Sequence, residues 1–344
     1  MTQEGKTALI QLLNQHQRLG ISEQIDFKKF YLYSIIAHST AIEGSTVTEI
    51  EAQLLFDEGI GANKPMIEQL MNLDLKVAYE YGMTWIQRHE DITVEWLITL
   101  ASKVMARTGG EYSTIGGNFS AARGELRKLN VSAGLGGPSY LSYQKVPSRL
   151  QAFCEELNSK RKALDATDLA AVYNLSFWAH YELVTIHPWA DGNGRTSRLL
   201  MNLLQWEYGV LPVKVLKEDK SVYIQALSDS RKHEDINIFL DCMTQLHIQH
   251  LRHDIDTYLR TTEGQPFGKK EKTTQKTTQK TTQKIIEALK SNPSLSRVAL
   301  AELCGISADG IKWQMKKMQE KGIIRRVGPD KGGHWEIVEE GDAH

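Results

Sequence analysis

The 344 residues, 41% hydrophobic and 24% charged, are enough for two or three globular domains with a sizeable core. A formal net charge of -1 excludes a molecule-wide attraction to polyanions, so any basic surface has to be local. Cys154, Cys242 and Cys304 lie too far apart for a disulfide framework or cysteine zinc site, and neither a signal-peptide start nor a long apolar span occurs, which predicts a cytoplasmic protein with no membrane partner.

From Ser22 to about Leu259 the apolar residues recur at helical spacing, so the expected fold class is mainly α. Early in that region "AHSTAIEGSTVTEIE", residues 37 to 51, predicts a helix ending at Gly44, with Thr48 and Glu51 forming a capping box for the next helix. Between Glu111 and Val146 the composition turns to Gly, Ser, Asn and Tyr. The alternating pieces "ELRKLNV" and "YLSYQKV", separated by Gly134, Gly136, Gly137 and Pro138, predict a β-hairpin inserted among helices. Leu169, Val172, Leu175, Ala179, Leu183 and Ile186 form one apolar stripe of a helix carrying His180, read as a core histidine.

That helix runs into "TIHPWADGNGRTSRLL", residues 185 to 200. Pro188 disfavours helix at His187, and a second amphipathic run begins near Arg195 and stops at Gly209, so the stretch is a helix-loop-helix. A glycine turn entering a helix N-terminus presents unpaired N–H groups and a positive dipole end, which makes Gly192, Asn193 and Gly194 a phosphate cradle. Arg195 and Arg198 add guanidinium groups on one face, Asp191 suits Mg²⁺ shared with phosphate oxygens, and His187 can take a proton from an attacking hydroxyl. Even without Asp191, the six positions His187, Gly192, Asn193, Gly194, Arg195 and Arg198 would coincide by chance in a chain this long with a probability on the order of 10⁻⁵. The chemistry spelled is phosphoryl or nucleotidyl transfer.

Farther on, "KKEKTTQKTTQKTTQK", residues 269 to 284, carries six lysines against one glutamate and no large apolar residue, and reads as an exposed linker. From Ile285 three short helical patterns precede two strand-like runs around "GPDKGG", the order of a winged helix-turn-helix. Ile311, Met315 and Met318 form the buried stripe of its third helix, leaving Lys312, Trp313, Lys316 and Lys317 outward. Eight Lys/Arg stand against four Asp/Glu between Ile285 and Gly328, which makes contacts with DNA phosphates plausible beside the alternative of protein docking.

"HPWADGNGR", continuing to Arg198, resembles the HxFx(D/E)GNGRxxR signature of the Fic family, with Trp189 in place of the usual phenylalanine. The resemblance covers about residues 20 to 250 and implies protein AMP transfer from ATP to a Ser, Thr or Tyr hydroxyl with release of pyrophosphate. By it, His187 is the base, Asp191 the Mg²⁺ ligand, Gly192 to Arg195 the α- and β-phosphate site, Arg198 the γ-phosphate partner and Tyr223 an adenine-side contact. Gly194 separates the chain from the family's kinase-like branch, which has lysine there. The hairpin resembles the family's flap, on which a target protein would dock by strand addition, with Gly124 to Val131 as first strand. Ser39, Glu43 and Gly44 match the family's inhibitory helix, which places Glu43 against the second motif arginine.

The expected domains are then 1–110 with the inhibitory helix, 111–260 as Fic core with flap and catalytic loop, 261–284 as linker and 285–344 as winged helix. Removal of AMP from modified protein, and nucleotide sensing by a DNA-binding regulator, stay open beside AMP transfer, as does a homodimer.

Overall fold

The computed structural model describes residues 1–134, 137–262, 282, 284–293, 295–304, 308–320, 323–327 and 334–338. These fall into two compact units, one up to Thr262 and one from Thr282. Most of the expected linker lies outside the described residues. Among those described, no helix is long and apolar enough to cross a membrane.

The first unit is built of ten α-helices: α1 (Gln3–Arg18), α2 (Phe27–Ile42), α3 (Glu49–Glu58), α4 (Met66–Ile86), α5 (Val94–Val104), α6 (Val146–Ala163), α7 (Leu169–Ile186), α8 (Asn193–Glu207), α9 (Lys220–His233) and α10 (Asn237–Thr262). α7 and α8 pack against each other at the centre between two apolar clusters. On one side Leu175, Ala179, Leu183, Ile186, Trp189, Leu199 and Leu203 meet α4, α5 and α6. On the other, Val172, Tyr173, Phe177, Val184 and Met201 share a cluster with Tyr223 and Leu227 of α9 and with Phe239, Met243 and Leu246 of α10. The single apolar stripe expected on α7 is therefore two, because a helix flanked on both sides has no solvent face to keep polar.

α2 stops as its sequence dictates. Glu43 is its C-cap, Gly44 takes φ 106°, and Thr48 and Glu51 close a reciprocal capping box at the start of α3. The helix is pinned laterally by Tyr31, whose hydroxyl donates to the Pro212 carbonyl at 2.7 Å, and by Thr40, whose hydroxyl donates to Asn72 Oδ1 at 3.0 Å.

The hairpin exists but not where alternation suggested. β1 (Glu111–Thr114) and β2 (Gly117–Ser120) pair antiparallel around a two-residue turn at Ile115 and Gly116, with Tyr112 and Phe119 stacked across the strands. The expected strand at Gly124–Val131 is not a strand. Residues 124–134 and 137–142 form a loop with one isolated bridge, Ser132 to Ser139, because the polar groups of Arg127 and Leu129 are spent on the loop's own anchorage.

In the second unit, helices α11 (284–291), α12 (Arg297–Cys304) and α13 (Ala308–Glu320) precede β3 (Ile324–Val327), which pairs antiparallel with β4 (His334–Ile337). Ile285, Leu289, Leu300, Ile311, Met315, Met318, Ile324 and Trp335 make its core, so the stripe expected on α13 faces inward. Lys312, Lys316 and Lys317 are exposed. The "GPDKGG" turn and the Trp313 side chain lie outside the described residues.

Candidate active site

His187 caps α7 in the left-handed region, at φ 53° and ψ 62°, with its N–H donating to the Leu183 carbonyl. Pro188 bars the α conformation, and a helix that must end at once does so most compactly through such a residue. The strain, about 1–2 kcal/mol for a residue with a Cβ, is spent at the centre of the motif. Nδ1 lies 3.2 Å from the Val184 carbonyl, which can only accept, so Nδ1 carries the proton and Nε2 keeps a lone pair. Burial pushes the imidazole pKa down to about 4, with Arg127 and Arg231 acting in the same direction and the Val184 hydrogen bond and Asp191 opposing. A neutral base at physiological pH results, well below the near-neutral value that an open loop would give.

Trp189 is 1% exposed, and its Nε1–H donates to the Gly124 carbonyl at 2.9 Å. It anchors the loop in the core and adds a hydrogen bond that phenylalanine could not make. Asn193 braces the same loop. Its Oδ1 accepts from the Trp189 N–H at 3.1 Å and its Nδ2 donates to the Trp189 carbonyl at 2.8 Å. The Asn193 side chain is thus committed to the loop, and its backbone stays in the turn expected to cradle phosphate.

Gly192, at φ 81°, is the N-cap of α8, and no side chain caps the helix. Its N–H reaches Asp191 Oδ1 at 2.6 Å, while the Asp191 side chain remains 57% exposed. Arg195 sits behind this turn, 3% exposed, with Nη2 at 3.0 Å from Met105 Sδ and 3.6 Å from Asp191. Its Nε and Nη1 are buried without a hydrogen-bond partner. A buried guanidinium with two donors unpaired among the described residues, beside a helix N-terminus without a side-chain cap, is an arrangement suited to an anion.

Arg198 is fully engaged. Nε donates to Ser39 Oγ at 2.9 Å, Nη2 to the Ser39 carbonyl at 2.9 Å and to Glu43 Oε1 at 2.6 Å, and Nη1 approaches the Tyr223 hydroxyl at 3.4 Å. Burial works against the Glu43 carboxylate, yet the Arg198 guanidinium outweighs it and holds the group below its ordinary range. Gly194 makes the pairing possible, since a Cβ there would stand 2.5 Å from Glu43 Oε1. Tyr223 departs from the expected adenine contact: it is 1% exposed and hydrogen-bonds His180 Nε2 at 2.9 Å, so it props Arg198 from below. His180 is the core histidine expected, its pKa pushed down to about 3 by burial and by Arg198.

Three residues passed unnoticed in the sequence. Arg127, 1% exposed, donates to the carbonyls of His187 and Leu129 at 2.7 Å each and to that of Leu141, while its own N–H donates to the Pro188 carbonyl at 3.0 Å. It ties both legs of the loop to the motif. Tyr140 stacks on the His187 imidazole, with ring centroids 3.9 Å apart and an interplanar angle of 19°. Arg231 of α9 lies over the Tyr140 ring at 5.1 Å. No local pattern marks these residues, because each makes a decisive contact across 45 or more positions of chain.

Replacing Arg127 by methionine strands three partly buried carbonyls. At about 1 kcal/mol for each unsatisfied group the expected loss is about 3 kcal/mol, and the Tm should fall by roughly 6–12 °C in a thermal melt. A shift under 2 °C, on the order of 1 kcal/mol or less, would show that the clamp contributes nothing.

The helical core, the glycine turn and the buried arginine pair define the class. Residues 91–205 match the Fic/DOC family and residues 278–325 the winged helix-turn-helix DNA-binding family, so the chain carries a Fic domain followed by a winged helix. Among curated proteins it is 29% identical to the protein adenylyltransferase Fic of Nematostella vectensis, over 237 residues that are 68% of this chain and 50% of that one. It is 29% identical to the Drosophila melanogaster protein of the same name over 255 residues, 70% and 44% of the two chains. The chain thus spans about half the length of the curated relatives it matches. In fold it resembles a Fic domain containing signaling protein from Bacteroides thetaiotaomicron, with TM-score 0.60, 21% identity and coverage of 76% of this chain and 100% of that one. A Fic family protein from Desulfovibrio desulfuricans matches over 100% of this chain and 98% of its own, with TM-score 0.56 and 19% identity.

Proposed function

We propose that the chain is a self-inhibited protein adenylyltransferase that moves AMP from ATP to a Ser, Thr or Tyr hydroxyl of a target protein and releases pyrophosphate. The observation that carries this reading is the idle buried guanidinium of Arg195 beside the uncapped N-terminus of α8. Phosphates of ATP would satisfy both, and backbone N–H groups aimed there would stabilise charge developing at the reacting phosphorus. His187 Nε2 takes the proton of the acceptor hydroxyl as its oxygen bonds to the α-phosphorus and the bond to pyrophosphate breaks. The target segment would lie along the loop at residues 128–134 and 137–142, not along the β1–β2 hairpin.

Asp191 fits a Mg²⁺ role, since its carboxylate is exposed at the mouth of the turn and only Oδ1 is engaged. Bound there, the ion would neutralise phosphate charge. Glu43 is the inhibitory group, because it occupies the Arg198 donors that a γ-phosphate would need. Incubation with α-labelled ATP, Mg²⁺ and a cell lysate tests the reading; absence of label in protein, including from a Glu43→Gly variant, would overturn it.

A second activity rests on the winged-helix match and on the exposed Lys312, Lys316 and Lys317: weak binding to duplex DNA, joined on the wing by Arg325 and Arg326. Each phosphate contact steepens the salt dependence by about 0.9 logarithmic units. Converting the three lysines together to glutamate in the full chain is therefore expected to flatten the slope of log K against log salt by about 3. An unchanged slope, or no gel shift of duplex by the wild type even at low salt, would favour protein docking instead.

A further inference from the structure

We propose that Tyr140 is a positioning residue for His187: its ring sets the plane of the imidazole and so aims Nε2, and the loop that presents it is registered on the base by the same contact. The inference rests on the AMP-transfer reading for its catalytic consequence, though not for its geometry.

The Nδ1 hydrogen bond to Val184 is long, at 3.2 Å, and a single long bond lets a ring rock about its axis. The Tyr140 ring, 3.9 Å from the imidazole and within 19° of parallel, removes that freedom while leaving the ring edge, where Nε2 lies, uncovered by the stack. Two further observations make this a built arrangement. The loop sets Tyr140 by backbone pairing, with Tyr140 N–H to the Val131 carbonyl at 3.0 Å beside the Ser132–Ser139 bridge. The Arg127 guanidinium holds the carbonyls of both His187 and Leu141, so the chain on each side of the stack is tied to one group. Arg231 adds a cation over the Tyr140 ring at 5.1 Å, which favours keeping the ring in place. The charged and titratable groups around the imidazole are Arg127, Arg231, Asp191 and the Tyr140 phenol.

The stacked ring covers one face of the imidazole, whose pKa burial pushes down to about 4. The test follows the His187 ring signal by NMR with pH in the full chain, using selectively labelled histidine and a His187→Gln spectrum for assignment. Wild type and Tyr140→Phe should share a low midpoint, whereas Tyr140→Ala and Tyr140→Ser should move it up by about one unit or more towards the ordinary value, as water reaches the ring. An Ala midpoint equal to that of wild type overturns the proposal. In a Glu43→Gly background, Tyr140→Ala should lower kcat for AMP transfer by about 10- to 100-fold with KM for ATP unchanged, and Tyr140→Phe should restore it. A full rate in Tyr140→Ala likewise overturns it. Shifted midpoints with no AMP transfer in any variant would instead sink the enzymatic reading and leave the hold of Tyr140 on the ring intact.

Discussion

His187→Ala, made in a Glu43→Gly background so that restraint does not mask the outcome, is expected to lower AMP transfer by about 10²- to 10⁴-fold, the range for loss of a positioned general base. The structure gives reasons for expecting little else to change. The phosphate side of the site consists of the α8 N-terminus, Gly192 and Arg195, none of which depends on the imidazole, so ATP affinity measured by calorimetry should stay within about threefold, or under 1 kcal/mol. Alanine also has to occupy the left-handed conformation at φ 53°, at about 1–2 kcal/mol, and His187→Asn, better suited to that region, is the control for folding. Because Nδ1 is committed to Val184 and the folded pKa is depressed, the base form persists throughout the neutral range. The acid limb of the rate profile should therefore lie well below the ordinary histidine value of about 6.5. Transfer within threefold of the parent in both variants would remove His187 from the role.

Glu43→Gly should raise transfer by about 100-fold, the scale on which misplaced reacting groups cost rate, and adding Arg198→Ala should remove most of the gain. Arg198 now gives one of its donors to Glu43 at 2.6 Å, and charge-assisted contacts of that length are among the strong polar ones. Ser39 and Tyr223 keep the guanidinium in place once the carboxylate is gone, so the released donor stays where Glu43 held it. The pH sense follows from the depressed Glu43 pKa: the pair is intact above the ordinary carboxylate range and weakens only as pH falls through the lowered value. Acidification within the neutral range should accordingly leave inhibition unaltered. Incorporation from α-labelled ATP by wild type, single and double variants decides the matter. A Glu43→Gly protein no faster than wild type, or a double variant that keeps the whole increase, would place control elsewhere.

How much of this could be read in the sequence depended on how far apart the cooperating residues lie. The stretch from His187 to Arg198 is contiguous, so its turn, its cations and its base were visible as a set. α2 was visible at its end, where Gly44 and the Thr48–Glu51 box are local signals, but its contact with Arg198 spans more than 150 positions and came only by resemblance. Arg127, Tyr140 and Arg231 gave no signal. Their work is done against backbone carbonyls and ring faces supplied by distant segments, which no periodicity encodes. The misplaced hairpin has the same cause: the alternation in 124–131 reflects a loop whose polar groups turn inward to Arg127, whereas the actual strands rest on a short glycine turn and one aromatic pair. His187 looked like an ordinary titrating histidine because its burial is a tertiary fact.

Gly194 lacks more than a side chain; it supplies the clearance that two rival occupants share. Its backbone belongs to the turn meant for the nucleotide, and the space beside its Cα is filled by the carboxylate of a helix more than 150 residues earlier, at a separation where even one methyl group would collide. Restraint and substrate recognition are thus geometrically inseparable at this position. On the AMP-transfer reading proposed above, a side chain at 194 would push aside the flexible end of Glu43 while standing on the turn proposed for the phosphates. On the same reading, moving α2 or its carboxylate would free the Arg198 donor without touching that turn.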